Sequence, residues 1–188
     1  MQKLNSNSTA VAPIKFPEYT GVRTYIITTT GVNVVLPENL KPYEEQVQNL
    51  CDVVGHKGVI HVTVDEKELT EGETHRKPEP HVDGRFEGFN SGWNHEVTDY
   101  SWNHTCNEIP NRMAVAVASN VPACRVFHGT FEGTPSDQGS LQHIADQLGK
   151  GQIVSANNWH LLSPDCVHES LPVNFDCKRS FIRVAFEN

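Results

Sequence analysis

The chain has 188 residues, enough for one well-buried core and short for two ordinary domains. Apolar residues make up 37% and charged residues 20%, the balance of a folding domain rather than of a disordered chain. With 15 Lys and Arg against 23 Asp and Glu, the formal net charge of −8 leaves no cationic excess to neutralise a phosphate backbone, so polymeric nucleic acid is not an expected partner.

Residues 1–18 are polar and rich in small side chains. They read as a loose, flexible arm without the apolar core of a signal peptide, ahead of a single domain over 19–188. Residues 22–30 are dense in β-branched and aromatic side chains and predict a strand. Pro42, the acids that follow it, and Val47, Leu50, Cys51 and Val54 at helical spacing predict a helix over 42–54. Residues 58–64 alternate as a strand. Short β-prone runs follow at 113–119, 124–131, 152–156 and 180–186, with a shorter helix over 140–148. Gly- and Pro-containing turns separate these strands, which favours a jelly roll or related barrel over a parallel α/β sheet.

Residues 90–111 carry aromatic side chains with little alternation and read as a long loop. Trp93 and Trp102, each opening a Trp-Asn-His triplet, either form a lid over a pocket or anchor the loop to the body. The five cysteines, Cys51, Cys106, Cys124, Cys166 and Cys177, are an odd set without Cys-x-x-Cys spacing, so free thiols in a reducing compartment are expected. No apolar run reaches membrane-spanning length, and a cytoplasmic location is the expectation.

His81 and Asp83 stand two residues apart, and in an extended chain such residues project from one face. One imidazole and one carboxylate suit Fe(II). A second histidine from elsewhere completes a facial triad that leaves positions open for substrates, and His168 is the candidate. Taken alone, a His-x-Asp triplet fits a harmless surface strand equally well. The terminal run adds a second signal, because alternation puts Arg179, Phe181, Arg183 and Ala185 on one face. On an edge strand both arginines are solvated. On a central strand they point inward, where a buried guanidinium needs an anion, and its planar fork matches a carboxylate.

These residues resemble the 2-oxoglutarate- and Fe(II)-dependent oxygenases, whose pattern is His-x-Asp, a long gap, a distal His and then an Arg. The resemblance covers residues 71–186 in outline and is strongest over 76–86 and 166–186. It implies a mainly β, double-stranded β-helix (a cupin-like jelly-roll barrel) with one or two supporting helices. It also implies Fe(II) on His81, Asp83 and His168, 2-oxoglutarate held by Arg179, and O2 as the second cosubstrate. Arg183 lies where taurine-dioxygenase-like members place a second anion-binding arginine. The family often carries Ser or Thr two residues beyond the first arginine, and this chain has Phe181.

The reaction so implied hydroxylates a substrate C–H bond while 2-oxoglutarate is decarboxylated to succinate. The substrate is a small molecule or a protein side chain, with an anionic group hinted at by Arg183. Arg85, on the same alternating face as His81 and Asp83, and Trp93 and Trp102 are the expected pocket residues. Two other readings compete: a cupin-like metal-dependent isomerase or hydrolase, and a non-catalytic jelly-roll binding protein. His56, His61, His75, His128, His143 and His160 build no second metal motif and read as ordinary core or surface histidines.

Overall fold

The computed structural model describes residues 1–24, 26–83, 114–136 and 139–187. In chain order these form β1 (Gln2–Ser6), β2 (Ser8–Pro13), β3 (Ile27–Thr30), a 3-10 helix (Glu38–Tyr43), α1 (Glu44–Val54) and β4 (Val59–Leu69). There follow β5 (Val115–Ser119), β6 (Cys124–Phe127), β7 (Gly129–Gly133), a second 3-10 helix (Gln142–Gln147), β8 (Gln152–Ile153), β9 (Asn158–Leu162), β10 (Val167–Ser170) and β11 (Cys177–Phe186). The protein is mainly β, and every strand pairing is antiparallel.

The strands make a six-stranded sheet ordered β2-β9-β5-β11-β4-β3, a three-stranded sheet ordered β10-β6-β8, and the pair β1-β7. β11 is central, between β4 and β5. Its alternation therefore buries both faces. Ile182, Val184 and Phe186 pack with Ile60, Val62 and Val64 of β4 against Val47, Leu50 and Cys51 of α1. On the opposite face, Phe181 and Ala185 join Val115 and Val117 of β5 and meet Val126 of the three-stranded sheet. This arrangement is consistent with a β-sandwich, and it leaves Arg179 and Arg183 between the two sheets, 1% and 2% exposed.

α1 is a short amphipathic helix whose apolar side covers the six-stranded sheet. Gly55, at φ 71°, ends it in the left-handed conformation that glycine adopts without Cβ strain. The buried Glu66 of β4 joins this layer to the chain ahead of it. Its Oε2 accepts from the backbone N–H groups of Thr20, Gly21 and Val22, while Oε1 accepts from the hydroxyl of Tyr43 at 2.5 Å. A buried carboxylate satisfied in this way pins residues 20–22 to the sheet rim.

Several elements differ from the sequence reading. Residues 1–18, expected as a loose arm, carry β1 and β2, because β1 finds a full partner in β7 and β2 in β9. Ser6 further ties β1 to β6 and β10: its hydroxyl donates to the Phe127 carbonyl and accepts from Val167 N–H. The predicted strand over 22–30 contracts to β3 with an isolated bridge between Arg23 and Asp65. The run 124–131 divides into β6 and β7, which lie in different sheets. The helix expected over 140–148 is a 3-10 helix, and β9 and β10 lie where no strand was expected. The loop expected over 90–111 lies outside the described residues.

Candidate metal centre

His168 is on β10 and faces the sandwich interior, opposite Val126 of β6 in the register. His81 adds one isolated bridge to the free side of β10: His81 N–H donates to the His168 carbonyl and His168 N–H to the His81 carbonyl, both at 2.9 Å. This reciprocal pair sets the two imidazoles side by side, with ring centroids 4.3 Å apart. Asp83 follows two residues on, and one ligand atom from each of His81, Asp83 and His168 lies within 4.8 Å of the others. The triad could hold a metal ion.

The tautomers favour ligation. His81 Nδ1 is 2.7 Å from the Glu79 carbonyl oxygen, and His168 Nδ1 is 2.9 Å from the Cys166 carbonyl oxygen. A carbonyl only accepts, so each Nδ1 carries the hydrogen and each Nε2 keeps its lone pair for the metal. Burial, reinforced by the neighbouring His168, pushes the His81 pKa down to about 3, so its imidazole is neutral, the form that binds a cation. At Asp83, burial opposes ionisation, but Arg183 and His168 outweigh it and hold the carboxyl well below the usual carboxylate range. Two imidazoles and one carboxylate are a donor set that suits Fe(II) among the divalent cations and leaves coordination positions open.

The two arginines of β11 have separate partners. Arg183 Nη1 donates to Asp83 Oδ2 at 2.8 Å, and that oxygen is 3.7 Å from His168 Nε2. Arg179 lies four residues back along the strand, roughly 13 Å at strand rise. Its Nε donates to Ser119 Oγ at 3.0 Å, while its Nη1 is buried with no hydrogen-bond partner. Among the described residues, Arg179 and the triad line one cavity of about 600 Å³. Asp65 lines the same cavity and pairs with two arginines, Arg23 Nε at 2.7 Å and Arg76 Nη1 at 3.0 Å, and His75 Nε2 lies 3.3 Å from it.

The residues singled out in the sequence thus divide. His81, Asp83 and His168 come together, and Arg179 shares their cavity. Arg183 is turned onto Asp83 itself. Arg85, Trp93 and Trp102 lie outside the described residues. Asp65 and His75 were not foreseen. Asp65 directly follows the alternating run 58–64, but its place opposite Phe181 is set by the β4–β11 register, which is a tertiary fact. Compared with known proteins, the chain matches no family model, no curated protein and no solved structure. Among the described residues no helix is long and apolar enough to cross a membrane, and Cys51, Cys124, Cys166 and Cys177 are free.

Proposed function

We propose that this protein is an Fe(II)- and 2-oxoglutarate-dependent oxygenase on a double-stranded β-helix. The observation that carries the reading is a pairing: a two-histidine, one-carboxylate donor set and a buried arginine with an unpartnered Nη1 line one cavity. A metal site alone also suits a cupin-like isomerase or hydrolase. A guanidinium held in the interior at 1% exposure asks in addition for an anion, and a dicarboxylate spanning metal and arginine supplies it.

In this reading His81, Asp83 and His168 would hold the iron, and Arg179 would hold the remote carboxylate of 2-oxoglutarate. When bound, Fe(II) supplies activation of O2, so that 2-oxoglutarate, O2 and a substrate C–H yield succinate, CO2 and an alcohol. The protein's own residues bind, orient and exclude water. The Glu79 and Cys166 carbonyls fix the imidazole tautomers. Ser119 fixes the Arg179 fork, and Arg183 fixes the Asp83 carboxylate. Neither histidine would serve as acid or base, because each would give its Nε2 lone pair to the metal.

The test is an anaerobic titration of the Fe(II)-loaded protein with 2-oxoglutarate. Bidentate chelation is expected to produce a weak visible charge-transfer band, and admission of air to produce succinate. A protein that gives neither is not an oxygenase of this kind.

A further inference from the structure

His75 lies in the connection between β4 and His81, with its side chain fully buried, at 0% exposure. It lines the cavity that Arg179 and the candidate metal donors share. Its Nε2 is 3.3 Å from Asp65 Oδ1. Burial, reinforced by the Arg179 and Arg76 charges and opposed by Asp65, lowers its pKa, so the ring is neutral and carries a single hydrogen. A carboxylate only accepts, which places that hydrogen on Nε2, toward Asp65. Nδ1 is left as a buried lone pair without a hydrogen-bond partner.

Buried acceptors are almost always satisfied, so this one calls for a donor. The hydroxyls that line the cavity give their hydrogens elsewhere, Thr24 Oγ1 to the Val64 carbonyl and Ser170 Oγ to the Ala123 carbonyl. In the oxygenase reading Arg179 serves the remote carboxylate of 2-oxoglutarate, and a carboxylate has no hydrogen to give. The donor then arrives with the molecule that is oxidised. Its charge is constrained as well. The guanidinium carbons of Arg76 and Arg179 lie 5.2 Å and 5.8 Å from the centre of the Phe181 ring, which His75 meets edge-on. Two cations so placed disfavour an ammonium at Nδ1 and favour a neutral hydroxyl or amide N–H.

We propose that His75 Nδ1 is the acceptor that recognises a neutral hydroxyl or amide group on the primary substrate, with Asp65 fixing the tautomer. The inference rests on the oxygenase reading above and supplies the substrate class that reading leaves open.

The probes are N-methylacetamide and methyl acetate, which are close in shape and differ by one N–H. Nitrogen-15 NMR of the imidazoles, on protein loaded with Zn(II) and 2-oxoglutarate, reads tautomer and binding together. His75 is expected to carry its hydrogen on Nε2, and its Nδ1 resonance to shift saturably with the amide and not with the ester. The amide should bind about fivefold more tightly, the effect of one neutral hydrogen bond. His75→Phe, which keeps a ring without an acceptor, should remove that preference and leave the Zn(II) stoichiometry unchanged. His75→Gln, which keeps an acceptor, should retain part of it, and His75→Leu repeats the test if the phenylalanine variant does not fold. Equal binding of the two probes, or binding of neither, makes a buried water the partner of Nδ1 and overturns the assignment. A hydrogen on Nδ1, or a preference that survives His75→Phe, overturns it too. The oxygenase reading is judged separately by the Fe(II) and 2-oxoglutarate titration. An amide preference at His75 without the visible band and succinate sinks that reading and keeps a hydroxyl- or amide-bearing ligand for the cavity.

Discussion

The two histidines are oriented by the same device, a Nδ1 hydrogen given to the carbonyl two residues upstream, and neither ring can turn without abandoning it. Removing a ligand therefore leaves the other donors in place but incomplete. His168→Ala and Asp83→Ala are each expected to abolish stoichiometric Fe(II) binding, measured by metal analysis after gel filtration. Arg179→Ala should keep the iron and weaken 2-oxoglutarate by tenfold or more, about 1.4 kcal/mol per factor of ten. Burial gives His81 a pH signature as well. Its pKa falls from 6.5 to about 3 on folding, so between those values the unfolded chain holds the extra proton. The stability it contributes is present above pH 6.5 and is lost as the pH falls toward 3. Urea unfolding of the metal-free protein should show this loss, and His81→Leu should make the slope shallower by up to about 1.4 kcal/mol per pH unit.

β11 brings together core and chemistry at the scale of an element. Its even-numbered residues build the layer under α1, and its odd-numbered residues carry Arg179 and Arg183 into the interior. Ile182 is 0% exposed in the middle of that layer, so Ile182→Ala should cost about 2–5 kcal/mol in urea unfolding while leaving the metal donors untouched. Glu66, on the neighbouring β4, holds the segment that leads to Arg23. Tyr43 and backbone N–H groups stabilise its ionised form against the burial that opposes it, so its pKa is lowered. Its contribution is present above the unfolded carboxylate range and is lost as the pH falls below about 4. Glu66→Leu should destabilise by about 2–3 kcal/mol, the scale of hydrogen bonds to a charged group. β11, β4 and α1 were legible in the sequence because their alternation or helical spacing is written in apolar residues. β10 was not, because Val-His-Glu-Ser buries His168 of the candidate metal site, Glu169 paired with Arg125 and the Ser170 hydroxyl, none of which registers as hydrophobic pattern. β1 and β2 were missed for a related reason: their polar residues are ordered by distant strands, β7 and β9.

Across the whole molecule, the site is where the two sheets face each other. His168 comes from one sheet, Arg179 and Arg183 from the other, and His81 and Asp83 from the connection that enters between them. The candidate metal donors could be picked out in the sequence because their residue types announce the chemistry they can do wherever the chain places them, and the fold brings the three together. The inward direction of Arg179 followed from alternation once β11 proved central. His75 could not be read that way. Its place beside Asp65, in the cavity that Arg179 and Phe181 also line, exists only because β4 packs against β11.

The reciprocal backbone bonds between His81 and His168 have a further consequence for metal selection. Main-chain hydrogen bonds, independent of any cation, fix the spacing of the two nitrogens. A donor set assembled in advance cannot reshape itself to reject a competitor, and affinity at such a site follows the Irving–Williams order, in which Cu(II), Ni(II) and Zn(II) all outrank Fe(II). Protein isolated in air should therefore carry mixed metals, and its iron content should track the cell's supply. Stripping with a chelator and refilling anaerobically with Fe(II) should restore a full complement without refolding.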